Sequence, residues 1–327
     1  MGMIDPRIAK ALVVARSGLQ RYPRQIAESL VSATTAVPRV SPQINFDHFQ
    51  TGRIAAAWVG HATVLFRIGG YTILTDPVFS NRIGMRLGGV TVGIKRLLPP
   101  AVDVEHLPKI DIVLLSHAHF DHLDKPSLRR LAQGPARGAT VVTADRTRTL
   151  IPDGFGEVVQ LGWGREIRLA NAGRGGVGAG DGLRIEALQP RHWGARAGVD
   201  RYRRYNAYVL EHGRDRVLFA GDTAFTDAFD GLRPVDLSVF GIGAYEGWDG
   251  AHATPEQVWK MFTKSSGGES AGGLLLPMHH STFDMGEKHV DEPMQRLLIA
   301  AGEQSGRIIC REQGDVWTDR ARPGAAN

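Results

Sequence analysis

The alternation of short apolar runs with turn residues predicts a sheet-rich domain over most of the chain. From about Ile54 onward, the apolar runs are bounded by Gly, Pro, Asp and Asn, as is typical of strands. Gly69-Gly70 predicts a hairpin turn between two of these runs. The predicted strands are Ile54–Val59, Thr63–Ile68, Tyr71–Thr75, Asp111–Leu115, Val141–Thr143, Glu166–Leu169, Leu183–Leu188, Ala207–Leu210, Val217–Ala220 and Leu237–Phe240.

Helical periodicity marks four segments around these strands. Residues 4–20 carry apolar side chains at helical spacing, with basic side chains between them. The motif Thr254-Pro255-Glu256-Gln257 predicts a helix that opens with a capping box. Two further helices are predicted over residues 125–132 and 287–301, whereas residues 80–108 are expected to be loops. Helices interspersed with strands indicate an α/β or α+β fold.

These elements divide the chain into three parts. We expect a helical arm and linker over residues 1–52, one domain over 53–320 and a disordered tail over 321–327. The arm is expected to pack on the domain, and the alternative is a basic amphipathic helix resting on a membrane. No stretch has the roughly 18–20 consecutive apolar residues of a spanning helix, so membrane contact would be peripheral.

Composition and charge indicate the compartment of the protein but not the reaction it catalyses. The 327 residues carry a formal net charge of +5, which fits either a solvated basic surface or an anionic partner. Cys310 is the only cysteine, so no intrachain disulfide forms, and a reducing compartment fits. Residues 1–35 lack the uninterrupted apolar core of a secretory signal. We therefore expect a cytoplasmic protein, with the inner face of the membrane as the alternative location.

One loop carries a dense set of metal-binding side chains. The segment Ser116–His122 reads Ser-His-Ala-His-Phe-Asp-His and directly follows a predicted strand. Imidazole and carboxylate groups are ligands that divalent transition metals prefer. A tight loop can direct His117 and His119 to one ion and Asp121 and His122 to a neighbouring one. This density of ligands at this spacing predicts a two-metal site.

Two ions need further ligands, and the ends of other predicted strands offer them. His192 follows the strand ending at Leu188, and Asp222 follows the strand ending at Ala220. The pair His279-His280 follows another apolar run. A carboxylate can bridge two cations, which gives Asp222 a chemical reason to lie among histidines.

These motifs resemble the metallo-β-lactamase-fold hydrolases. Within that superfamily the chain resembles N-acyl-phosphatidylethanolamine-hydrolysing phospholipase D and its bacterial relatives. The resemblance runs from about Trp58 to Phe283 and implies a four-layered αββα sandwich, here with an N-terminal helical extension. The motifs that indicate this branch are Trp58–Thr63, Thr75–Ser80, Gly221–Thr223, Ile242–Glu246 and His279–Phe283.

The resemblance implies a binuclear metal site and a mechanism. Two divalent ions, with zinc best suited and manganese or iron also fitting, would generate a bridging hydroxide that attacks phosphorus or a carbonyl carbon. Asp121 would also hold or accept the proton of the attacking water. One ion would take His117, His119 and His192, the other Asp121, His122 and His279, and Asp222 would bridge them.

Other residues around this site receive expected roles from the same resemblance. Asp76 and His61 would orient the metal ligands through hydrogen bonds. His252 would serve as a catalytic acid or substrate contact. The residues expected to contact substrate are His280, Tyr245, Glu246 and, in the arginine-rich stretch 191–204, Arg196 and Arg204.

Three functions compete at this point. The first is a phospholipase D-like phosphodiesterase acting on a phospholipid-like or other organic phosphodiester. The second is a lactonase or carboxylic-ester hydrolase that uses the same metals. The third is a non-catalytic, nucleic-acid-binding protein on this scaffold, which would need an appended basic domain. No such domain is visible, so we expect a small-molecule or lipid-like substrate and no nucleic acid. We make no prediction of the oligomeric state from the sequence.

Overall fold

The structure is a computed structural model of the chain. It describes residues 44–47, 49–87, 90–170, 182–196, 200–243, 250–268, 272–285 and 290–319. The predicted helix over residues 4–20, most of the predicted linker and the predicted tail lie outside these ranges. No helix within the described ranges is both long enough and apolar enough to cross a membrane.

A seven-stranded sheet forms one half of the structure. Its order is β15-β1-β2-β3-β6-β7-β8, antiparallel from β15 to β3 and parallel from β3 to β8. The strands are β1 (Ile54–Gly60), β2 (Thr63–Ile68), β3 (Tyr71–Thr75), β6 (Ile112–Leu115), β7 (Thr140–Ala144), β8 (Glu157–Leu161) and β15 (Val316–Thr318). Between β3 and β6, the strands β4 (Arg82–Leu87) and β5 (Val90–Lys95) pair as a separate hairpin.

A six-stranded sheet forms the other half, in the order β14-β13-β12-β11-β10-β9. Strands β12, β13 and β14 run parallel, so their carboxyl ends share one edge. The strands are β9 (Glu166–Leu169), β10 (Leu183–Leu188), β11 (Ala207–His212), β12 (Asp215–Phe219), β13 (Leu237–Gly241) and β14 (Leu274–Met278). The helices are α1 (Lys125–Gln133), α2 (Pro255–Ser265) and α3 (Glu292–Ala301), and short 3-10 helices lie at 104–106, 148–150 and 302–307.

Three apolar cores separate four layers. One core lies between the sheets, where Phe66 and Leu114 of the first sheet join Leu210 of the second. A second core packs Leu128 and other side chains of α1 on the outer face of the first sheet. A third packs α2 and α3, for example through Phe262, on the outer face of the second sheet. The predicted αββα sandwich is confirmed.

Three sequence-based expectations about elements were wrong. The supposed loop over residues 80–108 contains the β4–β5 hairpin, whose glycines and charged side chains hide its strand pattern. Strands β8 and β15 were missed because β8 is half exposed and β15 is very short. Helix α3 begins at Glu292 rather than at residue 287, because Pro293 fits only the first turn of a helix.

Tyr208 joins the two sheets beside the loop that follows β6. Its ring is wholly buried, and its hydroxyl donates to the carbonyl of Leu115 at 2.9 Å. The same hydroxyl accepts from Asn206 Nδ2 at 3.1 Å. The backbone N–H of Asn206 also donates to the carbonyl of Ser116 at 2.9 Å. These bonds fix where the 116–122 loop leaves the first sheet.

We expect Tyr208→Phe to lower the free energy of unfolding by about 1–3 kcal/mol, because it removes one donor and leaves buried polar partners unsatisfied. Urea denaturation followed by circular dichroism measures the change. The matched control is Tyr202→Phe, since Tyr202 is 50% exposed, and we expect a change within about 0.5 kcal/mol. Equal effects of the two substitutions would show that the inter-sheet bond contributes nothing.

Candidate metal centre

The strand ends bring the predicted metal-binding side chains to one edge of the sandwich. The loop 117–122 follows β6, and His192 lies in the loop after β10. Asp222 follows β12, and His279 follows β14 directly. Loops at the carboxyl ends of parallel strands meet at the same edge of a sheet. Residues far apart in sequence therefore lie in one cluster.

The carboxylate of Asp222 lies at the centre of this cluster. Asp222 is 3% exposed, and neither of its oxygens accepts a well-aligned hydrogen bond within the described part of the chain. Gly221, which precedes it, has φ 57°, a conformation that favours glycine. A side chain there would also clash, because its Cβ atom would lie 2.8 Å from Ser116 Cβ. Five imidazole nitrogens lie within 3.8 Å of Asp222 Oδ2: His122 Nε2 (3.0 Å), His279 Nε2 (3.5 Å), His117 Nε2 and His192 Nε2 (3.7 Å each) and His252 Nδ1 (3.8 Å).

On one side of Asp222, three imidazoles converge. His119 Nδ1 lies 2.8 Å from His117 Nε2 and 3.4 Å from His192 Nε2. His192 Nδ1 lies 3.0 Å from the carbonyl of Ala251, which can only accept, so Nδ1 carries the proton. The lone pair of His192 Nε2 therefore points into the cluster. These three histidines and Asp222 each offer one donor atom within 4.8 Å of the others.

On the other side, Asp121, His122 and His279 form a second group with His61. Asp121 Oδ2 lies 3.2 Å from His61 Nε2 and 3.3 Å from His279 Nε2. The rings of His61 and His279 are in contact, with centroids 4.0 Å apart. One donor atom from each of the four residues lies within 4.8 Å of the others.

Asp76 fixes the orientation of His122. Its wholly buried carboxylate lies 2.6 Å from His122 Nδ1 and accepts from the backbone N–H of Ser116 at 2.7 Å. Ser116 Oγ donates to it as well. With Nδ1 engaged by Asp76, His122 Nε2 is directed at Asp222. Asp76, His61 and His279 all have positive φ, and such strained backbone is concentrated at functional sites.

Burial and charge set the protonation of the cluster. Burial lowers the pKa of His119 to about 4 and that of His192 to about 3, so both imidazoles are neutral at pH 7. Burial alone would raise the pKa of Asp222, but His122 and His279 hold it well below its usual range. Conversely, burial alone would lower the pKa of His122, but Asp222, Asp121 and Asp76 raise it well above its usual value. The anionic carboxylates of Asp222 and Asp121 therefore draw positive charge into the cluster, as the raised pKa of His122 shows.

The donor set fits divalent cations. Among the residues that the structure describes, the buried atoms that make no well-aligned hydrogen bond include both oxygens of Asp222 and the Nε2 atoms of His122 and His279. Leaving such atoms unsatisfied costs about 1–3 kcal/mol each, more for charged groups. Cations on either side of Asp222 would satisfy all four atoms with the nitrogen and oxygen ligands that zinc, manganese and iron accept.

Two predicted histidines lie at different depths. His252 borders the cluster, with its ring 5.2 Å from that of His192 and its side chain 17% exposed. His280 is only 4% exposed and packs against the indole of Trp58, with ring centroids 4.5 Å apart. Its Nδ1 lies 2.8 Å from Ser281 Oγ. A substrate could thus approach His252 more readily than His280.

The two arginines predicted to contact substrate also differ in how accessible they are. Arg196 Nη1 donates to the carbonyls of Ala118 at 2.9 Å and Leu123 at 2.7 Å, and the guanidinium lies over the Phe120 ring. Arg196 therefore braces the 117–122 loop. Arg204 is exposed and lies over the ring of Trp163 at 4.6 Å. Tyr245 and Glu246 lie outside the described residues.

Sequence reasoning missed two aromatic side chains beside the cluster. Trp193 lies 4.4 Å from the ring of His192 and 5.1 Å from that of His119. Tyr205 meets His192 edge to face at 6.2 Å. The position of Trp193, directly after the predicted ligand His192, could have indicated that it lies beside the cluster. Nothing in the sequence indicates that Tyr205 folds back towards the same ring.

Comparison with known proteins identifies the class of this molecule. Residues 71–280 match a beta-lactamase superfamily domain. The chain therefore belongs to that superfamily and has the metallo-β-lactamase fold. An isothiocyanate hydrolase from Delia radicum gut bacteria has this fold, with a TM-score of 0.59 at 17% identity, over 81% of this chain and 98% of that one. A metallo hydrolase from Ignicoccus hospitalis KIN4/I gives a TM-score of 0.57 at 19% identity, over 81% and 97%.

Relatives by sequence are similar to most of this chain. An uncharacterized protein of Mycobacterium tuberculosis (strain ATCC 25618 / H37Rv) is 31% identical over 81% of this chain and 68% of its own length. N-acyl-phosphatidylethanolamine-hydrolyzing phospholipase D 1 of Caenorhabditis elegans is 28% identical over 83% of this chain and 77% of its own length. A metal-dependent hydrolase of Pyrobaculum islandicum is 26% identical over 70% and 84%. This chain covers more than two thirds of the length of each of these three relatives.

We expect Asp76→Asn to weaken divalent-cation binding about 10–100-fold, because one of the two acceptor oxygens shared by Ser116 and His122 becomes an NH2 donor and the negative charge that orients the His122 ring is lost. Isothermal titration of the metal-free protein with zinc measures the affinity. The control is Asp111→Asn at the opposite end of β6, where Asp111 accepts from the backbone N–H of Thr72 at 2.9 Å. Zinc affinity should be unchanged in the control, and an equal loss in both variants would contradict the role of Asp76.

Proposed function

We propose that this protein is a binuclear metal-dependent phosphodiesterase of phospholipase D-like type that acts on an organic phosphodiester. The observation that carries the proposal is the buried Asp222 carboxylate, which makes no well-aligned hydrogen bond to any described residue and lies within 3.8 Å of five imidazole nitrogens. The similarity to N-acyl-phosphatidylethanolamine-hydrolyzing phospholipase D 1 supports the choice of a phosphodiester.

The two groups of side chains suggest how the ions would be shared. One ion would be held by His117, His119 and His192, the other by Asp121, His122 and His279, and Asp222 would contact both. When bound, two such ions supply Lewis acidity that activates water near neutral pH and stabilises the negative charge of the transition state. We propose zinc for this set, and manganese or iron also suit it.

The chain's own residues would handle protons and orientation. Asp121 Oδ2 would receive the proton of the attacking water, since its carboxylate lies at the edge of the cluster in contact with His61 and His279. His61 would hold that carboxylate in place. His252, part exposed beside Asp222, would contact the leaving oxygen of the substrate.

Exposed arginines near the site favour a phosphodiester over a lactone. Arg191 is exposed, and its backbone N–H donates to Thr223 Oγ1, next to Asp222, at 3.0 Å. Arg204 is exposed on the following segment. A guanidinium pairs with phosphate oxygens in a two-pronged geometry, whereas a neutral lactone gives it no charge to bind. Arg196 and Arg203 are engaged with backbone carbonyls and Asp200, so they brace the structure.

We expect His119→Ala and Asp222→Asn each to lower kcat/KM by more than about 100-fold, beyond the range for residues that only orient ligands. Each variant should also retain less metal after dialysis, measured by plasma mass spectrometry. The control is His106→Ala, since His106 is exposed and outside the cluster. Full activity in a chelator-treated, metal-free protein would refute the metal-dependent mechanism.

A matched substrate panel separates the two enzymatic hypotheses. We expect the zinc- or manganese-loaded protein to hydrolyse bis(4-nitrophenyl) phosphate at least tenfold faster, in kcat/KM, than γ- or δ-lactones, because the exposed arginines select an anionic substrate. Release of 4-nitrophenolate and pH-stat titration follow the two reactions. Faster lactone hydrolysis would favour the carboxylic-ester alternative on the same metals.

A further inference from the structure

We propose that Trp193, Tyr205 and Trp163 form an aromatic wall that binds a planar, unsaturated substituent of the substrate. The wall lies beside His119 and His192, and the inference rests on the proposed phosphodiesterase function. It narrows the substrate class from any organic phosphodiester to one that carries an aryl or similarly flat group.

Trp193 is the part of the wall nearest to the candidate ligands. Its ring is tilted by only 31° from that of His192, at 4.4 Å, and meets His119 edge to face at 5.1 Å. Trp193 is only partly buried. A substituent attached to a phosphorus atom bound near His119 and His192 would therefore reach this indole first.

Tyr205 and Trp163 extend the wall away from the cluster. The Tyr205 ring lies 6.2 Å from that of His192 and 5.3 Å from that of Trp163. Trp163 Nε1 donates to the carbonyl of Tyr205 at 2.7 Å, which fixes the two residues together. Arg204 covers the ring of Trp163 at 4.6 Å, so the outer end of the wall carries positive charge.

These three aromatic side chains do not pack in the apolar cores of the described residues. Among the described tryptophans, Trp58 belongs to the core between the sheets, Trp317 packs against it, and Trp259 packs against the core beneath α2. Trp163, Trp193 and Tyr205 belong to none of the apolar clusters of the described residues. Partly exposed aromatic rings gathered beside a polar site are typical of ligand recognition.

The ring geometry favours a planar group over a flexible chain. Aromatic pairs prefer offset-stacked and edge-to-face contacts, and these add about 2–12-fold in affinity beyond simple burial. Within the wall, the rings of Tyr205 and Trp163 meet at 60°, so a flat group lying on one ring meets the edge of the other. Tyr205 in turn meets the ring of the candidate ligand His192 at 88°. A saturated acyl chain would gain burial alone.

Binding of phosphonates to the zinc-loaded, full-length protein tests the wall without turnover. We expect phenylphosphonate to bind at least fivefold more tightly than methylphosphonate and more tightly than cyclohexylphosphonate by isothermal titration. Trp193→Ala should abolish the preference for the phenyl group, and Trp193→Phe should restore most of it. The control, Ile299→Ala, removes an 80%-exposed apolar side chain on α3 and should keep the preference.

Trp193 touches two candidate ligands, so zinc content is measured for every variant. If Trp193→Ala binds less zinc, Trp193→Phe and Tyr205→Leu provide the comparison, with a reduced phenyl preference expected for Tyr205→Leu. Equal binding of phenyl and cyclohexyl phosphonates, or an unchanged preference in both Trp193→Ala and Tyr205→Leu, would overturn the aromatic wall. A phenyl preference without hydrolysis of any phosphodiester would contradict the proposed function and leave the wall standing, so the two failures are distinguishable.

Discussion

The buried carboxylate of Asp222 imposes the strongest constraint on this structure. An anionic group that makes no well-aligned hydrogen bond in the described part of the chain is costly to bury, and the surrounding imidazoles and a cation compensate this cost. The imidazoles come from four separate loops, so both sheets must end at one edge and stay in register there. Three contacts serve that requirement: the inter-sheet hydrogen bond of Tyr208, the brace of Arg196 on the 117–122 loop and the hydrogen bond that Asp76 accepts from His122 Nδ1.

The same constraint accounts for the local backbone strain. His61, Asp76 and His279 adopt positive φ, which a domain tolerates only where the surroundings fix it. The backbone N–H of His61 donates to Thr282 Oγ1 at 2.8 Å, and its carbonyl accepts from Trp58 Nε1 at 2.9 Å and from the N–H of His279 at 3.1 Å. These bonds hold His61 and His279 in place, and their side chains can therefore present their donor atoms before a cation binds.

Much of this arrangement could be predicted because ligand motifs follow continuous apolar strands. The sequence alone predicted the first and last residues of four strands and the capping box of α2; the four strands are β2, β3, β9 and β10. The αββα layers followed from the family resemblance. The bracing role of Arg196 could not be predicted from sequence. Whether its guanidinium binds a substrate phosphate or backbone carbonyls depends on how the distant 117–122 loop folds. His280 meets Trp58 from another strand, and the glycine-containing β4–β5 hairpin has no strand-like pattern. The assignment of seven side chains as metal ligands stays a prediction, although the structure brings all seven into one cluster.

The most direct test of the central claim is a crystal structure of the zinc-loaded protein with anomalous diffraction data at the zinc edge. We predict two anomalous peaks, one on each side of the Asp222 carboxylate, with the imidazoles of His119 and His279 on different ions. A protein that takes up no zinc, or one that binds a single ion away from Asp222, would contradict the account.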